Sequence, residues 1–174
     1  MTLLGKVGGA AALFVVAAVA VGYTRDGGLD FGDGVGLAAD AGPGVADIPG
    51  PYLSQYRAAA GTCPALDWAL LAAIGKVETD HGRLKAAGVR SGTNFAGAAG
   101  PMQFLPATFA GVRQRHQGIG SDIYDPADAI PAAAHYLCDS GLAAGDTRRA
   151  IFAYNHAGWY VDKVQDQATA YRRA

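Results

Sequence analysis

The chain has 174 residues, 51% of them hydrophobic, with 14 Lys and Arg against 15 Asp and Glu for a net charge of −1. That profile fits a folded domain; it excludes a disordered chain and gives no basic excess of the kind nucleic-acid binders carry. The charges are unevenly placed: Asp26, Asp30, Asp33, Asp40 and Asp47 fall in a stretch opposed only by Arg25, whereas the chain from Pro51 onward is mildly basic.

Residues 1–23 contain an uncharged apolar run, Val7 to Gly22, behind Lys6. Such a run at a terminus reads as a signal peptide or a transmembrane anchor, and Ala18-Val19-Ala20 resembles a small-x-small cleavage site. Either reading exports the rest of the chain and puts the domain outside the cytoplasm, in the cell envelope. Residues 24–50, with eight glycines, Pro43 and Pro49, are too poor in apolar side chains to offset the entropy of ordering and are expected to form a flexible linker. The folded domain is expected over 51–174. In an exported chain the two cysteines, Cys63 and Cys138, are most simply a disulfide, with two buried free thiols as the alternative.

Within that domain the apolar spacing is helical throughout. Leu66, Leu70, Ala73 and Val77 define one face of a helix starting near Ala65. Pro106 opens a second helix with Phe109 and Val112 inward. Asp125-Pro126 is an N-cap followed by proline at the first helical position, leading to Ile130, Ala134 and Leu137, with Pro131 expected to break or kink the segment. Asp146 caps a helix through Ile151 and Tyr154 that ends near Gly158, and Val161, Val164, Ala168 and Tyr171 mark the last. No run alternates long enough for a convincing strand, leaving room only for a short turn or hairpin between Gly88 and Phe104.

Glu78 is the only glutamate in the chain. It lies in the last turn of an apolar helix, with Ile74 and Leu71 on its own side and the negative end of the helix dipole beside it. Burial and dipole both raise a carboxyl pKa, as a general acid near neutral pH requires. A solvated glutamate paired with Arg83 is the plain alternative. Downstream, Gly97 to Pro106 is a Gly/Pro-bracketed segment presenting Met102, Gln103 and Phe104, and Ala153-Tyr154-Asn155 places a phenol and an amide at a helix end.

These three segments, in this order, resemble the lytic transglycosylases of bacterial cell walls. Glu78-Thr79 matches the family's glutamate followed by a small hydroxyl residue. Gly97 to Pro106 matches its G-x-x-G-x-M-Q-x-x-P segment, and Ala153-Tyr154-Asn155 its late A-Y-N motif. The stretch from Asp125 to Ile130 is similar to actinobacterial members. The resemblance covers roughly residues 60–165 and implies a mainly α, lysozyme-like (goose-type) domain acting on peptidoglycan glycan strands. It implies cleavage of the MurNAc-β-1,4-GlcNAc bond, with Glu78 as general acid and then as base toward the muramyl 6-hydroxyl, leaving a 1,6-anhydro end. On the same analogy Thr79, Gln103 and Asn155 would bind sugar groups, Tyr154 would position Glu78, and Met102 would line the wall beside the acid. Because the substrate supplies the nucleophile, one carboxyl suffices. A hydrolase would need a second, for which Asp122, Asp125 and Asp128 are candidates. The region from Gln117 to Asp122 offers too few oxygen ligands for a calcium loop, so neither a metal nor another cofactor is expected. A lysozyme-like hydrolase, and a non-catalytic wall-binding or structural module of a secretion or conjugation apparatus, are the alternative readings.

Overall fold

The computed structural model describes residues 44–174. The expected signal or anchor segment and most of the expected linker lie outside these residues. None of the described helices is long and apolar enough to cross a membrane.

Six α-helices and two short 3-10 turns make up the described chain. The helices are α1 (Gly50–Ala59), α2 (Trp68–Thr79), α3 (Pro106–Arg115), α4 (Pro126–Asp139), α5 (Thr147–Tyr154) and α6 (Gly158–Arg172). The domain is all-helical, consistent with a lysozyme-like architecture. The hairpin considered between Gly88 and Phe104 is reduced to a single antiparallel bridge, Ala99 to Phe104.

The organising element is α2. Every residue from Ala69 to Gly75 is buried, so the helix has no polar face and must be enclosed on all sides. It packs most extensively on α6, then on α1, and also touches α4. The close approach of α1 is possible because residue 75 is glycine: a Cβ there would fall on the Tyr56 hydroxyl. Asp67 caps α2 by accepting from the Leu70 amide at 2.8 Å, so the helix begins at Trp68 and not near Ala65. Leu66 is buried, but as part of the loop before it.

The predicted inward residues of the later helices are buried: Phe109 and Val112 on α3, Ile130, Ala134 and Leu137 on α4, Ile151 and Tyr154 on α5, and Val161, Val164, Ala168 and Tyr171 on α6. Three expectations need correcting. Pro131 does not end α4, which runs through it although it is the sixth of fourteen residues and forfeits an interior backbone bond; the buried apolar stripe on both sides of it carries the helix onward. The helix after Asp146 stops at Tyr154, and Gly158 begins α6. Residues 44–50, expected in the linker, are already part of the fold: Val45–Asp47 form a 3-10 turn, and Ile48 is in the core. The helix α1 was not anticipated, although Leu53, Tyr56 and Ala59 have helical spacing.

Cys63 and Cys138 are joined by a disulfide, 2.05 Å between sulfurs, linking the loop after α1 to the end of α4. The bridge closes a loop of sequence separation 75.

Candidate active site

The site is built on the C-terminal end of α2. The helix ends in three consecutive left-handed residues, Asp80, His81 and Gly82, with φ of 52°, 55° and 74°. Asp and His are among the side chains that tolerate this region, while Gly82 is required, since a Cβ would meet the Tyr52 hydroxyl. Terminal carbonyls of α2 are satisfied by His81 N to Gly75 O at 2.9 Å and Asp80 N to Lys76 O at 3.0 Å. His81 is wholly buried between two phenols, with Nδ1 at 3.0 Å from Tyr56 Oη and Nε2 at 2.9 Å from Tyr171 Oη. Burial, with help from the nearby Arg83 cation, pulls its pKa down to about 4 and keeps the ring neutral.

Glu78 projects from this last turn and is only half-buried, so solvent can reach the residue. Its carboxyl is nonetheless enclosed by protein. Burial pushes its pKa up to about 7, although the Tyr160 hydroxyl and the Lys163 ammonium pull the other way. Tyr160 Oη donates to Glu78 Oε1 at 2.6 Å. Among the described residues, the charged side chain acting on Glu78 is therefore a lysine, not a second carboxylate. Arg83 does not pair with Glu78; it binds Asp80 and Asp47.

Thr79 bolts this helix end to the Gly97–Pro106 segment. Its Oγ1 donates to Pro101 O at 2.6 Å and accepts from Gly82 N at 2.8 Å. Tyr154, at the end of α5, donates to Met102 O at 2.8 Å. The Tyr154 phenol is held well above its ordinary pKa, first by burial and next by the negative charge of Glu78. Glu78, Thr79, the Pro101–Met102 backbone and Tyr154 thus form one assembly. Met102 itself is completely buried, its side chain part of the core.

Gln103 sits differently. With φ of 50° it turns its side chain into the loop. Its amide nitrogen donates to Gly100 O at 2.7 Å and Gly88 O at 3.3 Å, and its oxygen accepts from Asn94 Nδ2 at 2.9 Å. Asn94 in turn accepts from Ala96 N and Ala98 N. Gln103 therefore fastens the loop from Gly88 to Gly100 and has no donor left for a ligand. Asn155, 2% exposed at the C-cap of α5, has an amide nitrogen with no partner among the described residues.

The aspartates considered as second acids are engaged locally. Asp125 caps α4 through Ala127 N, Asp128 accepts from Asp122 N, and Asp122 accepts from Tyr124 N. Asp80 binds Lys76 and Arg83. Tyr160, which holds the Glu78 carboxylate, escaped the sequence reading. It falls one position before Val161 in the α6 stripe and there looks like one more core aromatic; its hydroxyl is what distinguishes it. Beside it Trp159 is 53% exposed and flanks a surface groove with Lys163 and Gln167.

The profile of the Transglycosylase SLT domain matches residues 55–173. The chain belongs to that family. No curated protein and no solved structure matches it. As an SLT-domain protein it falls in a carbohydrate-active enzyme class whose substrate is the glycan strand of peptidoglycan, in keeping with a place outside the cytoplasm. All three segments singled out in the sequence lie within the match, whereas Val45–Asp47 lie ahead of it.

Proposed function

We propose that this SLT-domain protein is a peptidoglycan lytic transglycosylase with Glu78 as its catalytic acid and base. The observation that carries the reading is a single enclosed carboxyl, on a half-buried residue, with a pKa pushed up to about 7 and no carboxylate partner among the described residues. Near neutral pH a large share of it is protonated and able to give its proton to the glycosidic oxygen between N-acetylmuramic acid and N-acetylglucosamine. The carboxylate that results accepts hydrogen bonding from Tyr160 and sits within the field of Lys163, which stabilise it as charge develops. It then takes the proton of the muramyl 6-hydroxyl as that oxygen bonds to C1, and the product ends in a 1,6-anhydro ring. The proton given to the leaving group is replaced by the one from the 6-hydroxyl, so the enzyme returns to its starting state.

A retaining hydrolase would need a second carboxyl about 5 Å away, and an inverting one a carboxylate poised over water. The local engagement of Asp80, Asp122, Asp125 and Asp128 favours the transglycosylase. Tyr154 positions the acid and the Met102 backbone; Asn155, whose amide nitrogen has no partner among the described residues, is the amide suited to a sugar carbonyl or hydroxyl. The segment 1–23 would deliver the domain to the envelope, as an anchor or as a cleaved signal. Incubation with purified peptidoglycan and mass spectrometry of the released muropeptides tests the reading. Anhydro-muramyl ends that disappear in Glu78→Gln support it; reducing ends would reassign the protein as a hydrolase. Release by Glu78→Gln at the wild-type rate would remove Glu78 from the chemistry.

A further inference from the structure

The end of α2 is gripped from behind by a segment that precedes the family-matched region. Asp47, in the Val45–Asp47 turn, reaches two cations that bracket Glu78 in the sequence. Its Oδ2 is 2.7 Å from Lys76 Nζ, and its Oδ1 is 2.9 Å from Arg83 Nη2. The Asp47 carbonyl accepts from Arg83 Nη1 at 2.8 Å. Both cations also converge on Asp80 Oδ1, at 2.6 Å from Lys76 and 2.7 Å from Arg83. Tyr171 Oη, which meets His81, lies 3.4 Å from Asp47 Oδ2. A ring of contacts therefore encloses residues 76–83, with Asp47 as the member contributed from outside.

A lone exposed ion pair contributes little. This one is a partly buried network that uses both carboxylate oxygens and a backbone carbonyl. Burial pushes the Asp47 carboxyl up, but the two cations outweigh it and hold it below the usual carboxylate range. The network closes over a turn of three left-handed residues, a backbone that persists only when its surroundings fix it. Glu78 sits two residues before that turn, and the direction of its side chain is set by where α2 stops.

We propose that Asp47 is a positioning residue for Glu78: it latches the chain ahead of α1 onto Lys76 and Arg83 and so fixes the helix end that aims the acid at Tyr160. The proposal rests on Glu78 being the reacting group. It also means that the functional domain includes Asp47, and that a fragment starting at Pro51 lacks part of its own site.

The test uses the full-length chain carrying Asp47→Asn, and separately Arg83→Ala, which opens the latch from the other side should Asp47→Asn not fold. Arg172→Ala is the control; it removes the 2.6 Å ion pair with Asp67 at the opposite end of α2. Two quantities are read below the unfolding temperature of each variant: kcat and KM on soluble glycan strands, and the carbon-13 titration of the Glu78 carboxyl. The groups facing that carboxyl (Tyr160, Tyr154 and Lys163) are unchanged. Both latch variants are expected to lose about tenfold or more in kcat, with KM within about twofold, because a misaimed acid costs rate more than binding. Glu78 should titrate at lower pH as water reaches it, and Arg172→Ala should match the wild type in both readouts. Latch variants that lose thermal stability yet keep kcat and the Glu78 titration would overturn the proposal and leave Asp47 a merely structural residue. If the wild type releases no product, the carboxyl titration still decides the latch, and only the enzymatic reading fails.

Discussion

Replacing Glu78 by glutamine should make the protein more stable at neutral pH while abolishing its activity. The carboxyl has a folded-state pKa of about 7 against an ordinary value of 4.5, with burial as the main cause. Between those values the folded state binds the extra proton, so the stability this group contributes is complete below about pH 4.5 and is lost as pH rises through 7. The gap corresponds to about 3 kcal/mol, trimmed to about 2–3 kcal/mol because Glu78 keeps partial contact with solvent. Glutamine has nearly the same shape, can accept from Tyr160, and does not titrate. The stability difference between Glu78→Gln and wild type should therefore be near zero at pH 4.5 and reach about 2–3 kcal/mol in favour of the variant at pH 8, or about 6–10 °C in Tm for a domain of this size. Urea denaturation at several pH values measures it directly, and titrations common to both proteins, such as that of His81, cancel in the difference. A stability difference that stays flat from pH 4.5 to 8 would refute the burial argument for the acid.

Removing the Tyr160 hydroxyl takes away a hydrogen bond that favours the charged carboxylate. Tyr160→Phe should move the alkaline limb of the pH–rate profile upward and lower kcat roughly tenfold, from the size of a hydrogen bond to a charged group. Gln103 and Asn155 should separate by phenotype. Gln103→Ala removes three side-chain hydrogen bonds and leaves the half-buried Asn94 amide nitrogen without its acceptor, while Gly88 O and Gly100 O keep their backbone donors; it should cost about 1–2 kcal/mol of stability, measured by urea unfolding. Asn155→Ala deletes an amide donor with no partner among the described residues and should raise KM for glycan with little thermal effect. Reduction of the Cys63–Cys138 bridge should lower stability by about 4 kcal/mol, from the loop it closes; a calorimetric comparison of oxidised and reduced protein checks it.

The helices whose signals were local could be read from the sequence. Asp125 and Asp146 show how: a capping carboxylate ahead of a periodic apolar run is a local event, and both caps are formed. Pro131 was misleading because its penalty is local, whereas what carries α4 through it is tertiary, the burial of Ala129, Ile130, Ala132, Ala133 and Ala134 around it. The ordered 44–50 stretch was hidden by composition. Its glycines and prolines resemble linker, while what orders it is tertiary: Ile48 in the core and Asp47 on Lys76 and Arg83. In the site, Glu78 was visible because it is the sole glutamate at an apolar helix end. Gln103 belonged to the same motif, yet its partners, Asn94 and the carbonyls of Gly88 and Gly100, meet it only through the fold. Tyr160 could not be told from a core residue, because its hydroxyl finds Glu78 across 82 positions of sequence.

Since Glu78 is the only glutamate, selective carbon-13 labelling of glutamate places a single carboxyl resonance in the spectrum of the folded protein. Its titration midpoint should fall near 7 and move higher still in Tyr160→Phe. A midpoint near 4.5, the value of a glutamate in open water, would contradict the claim that this carboxyl is held as a proton donor at neutral pH.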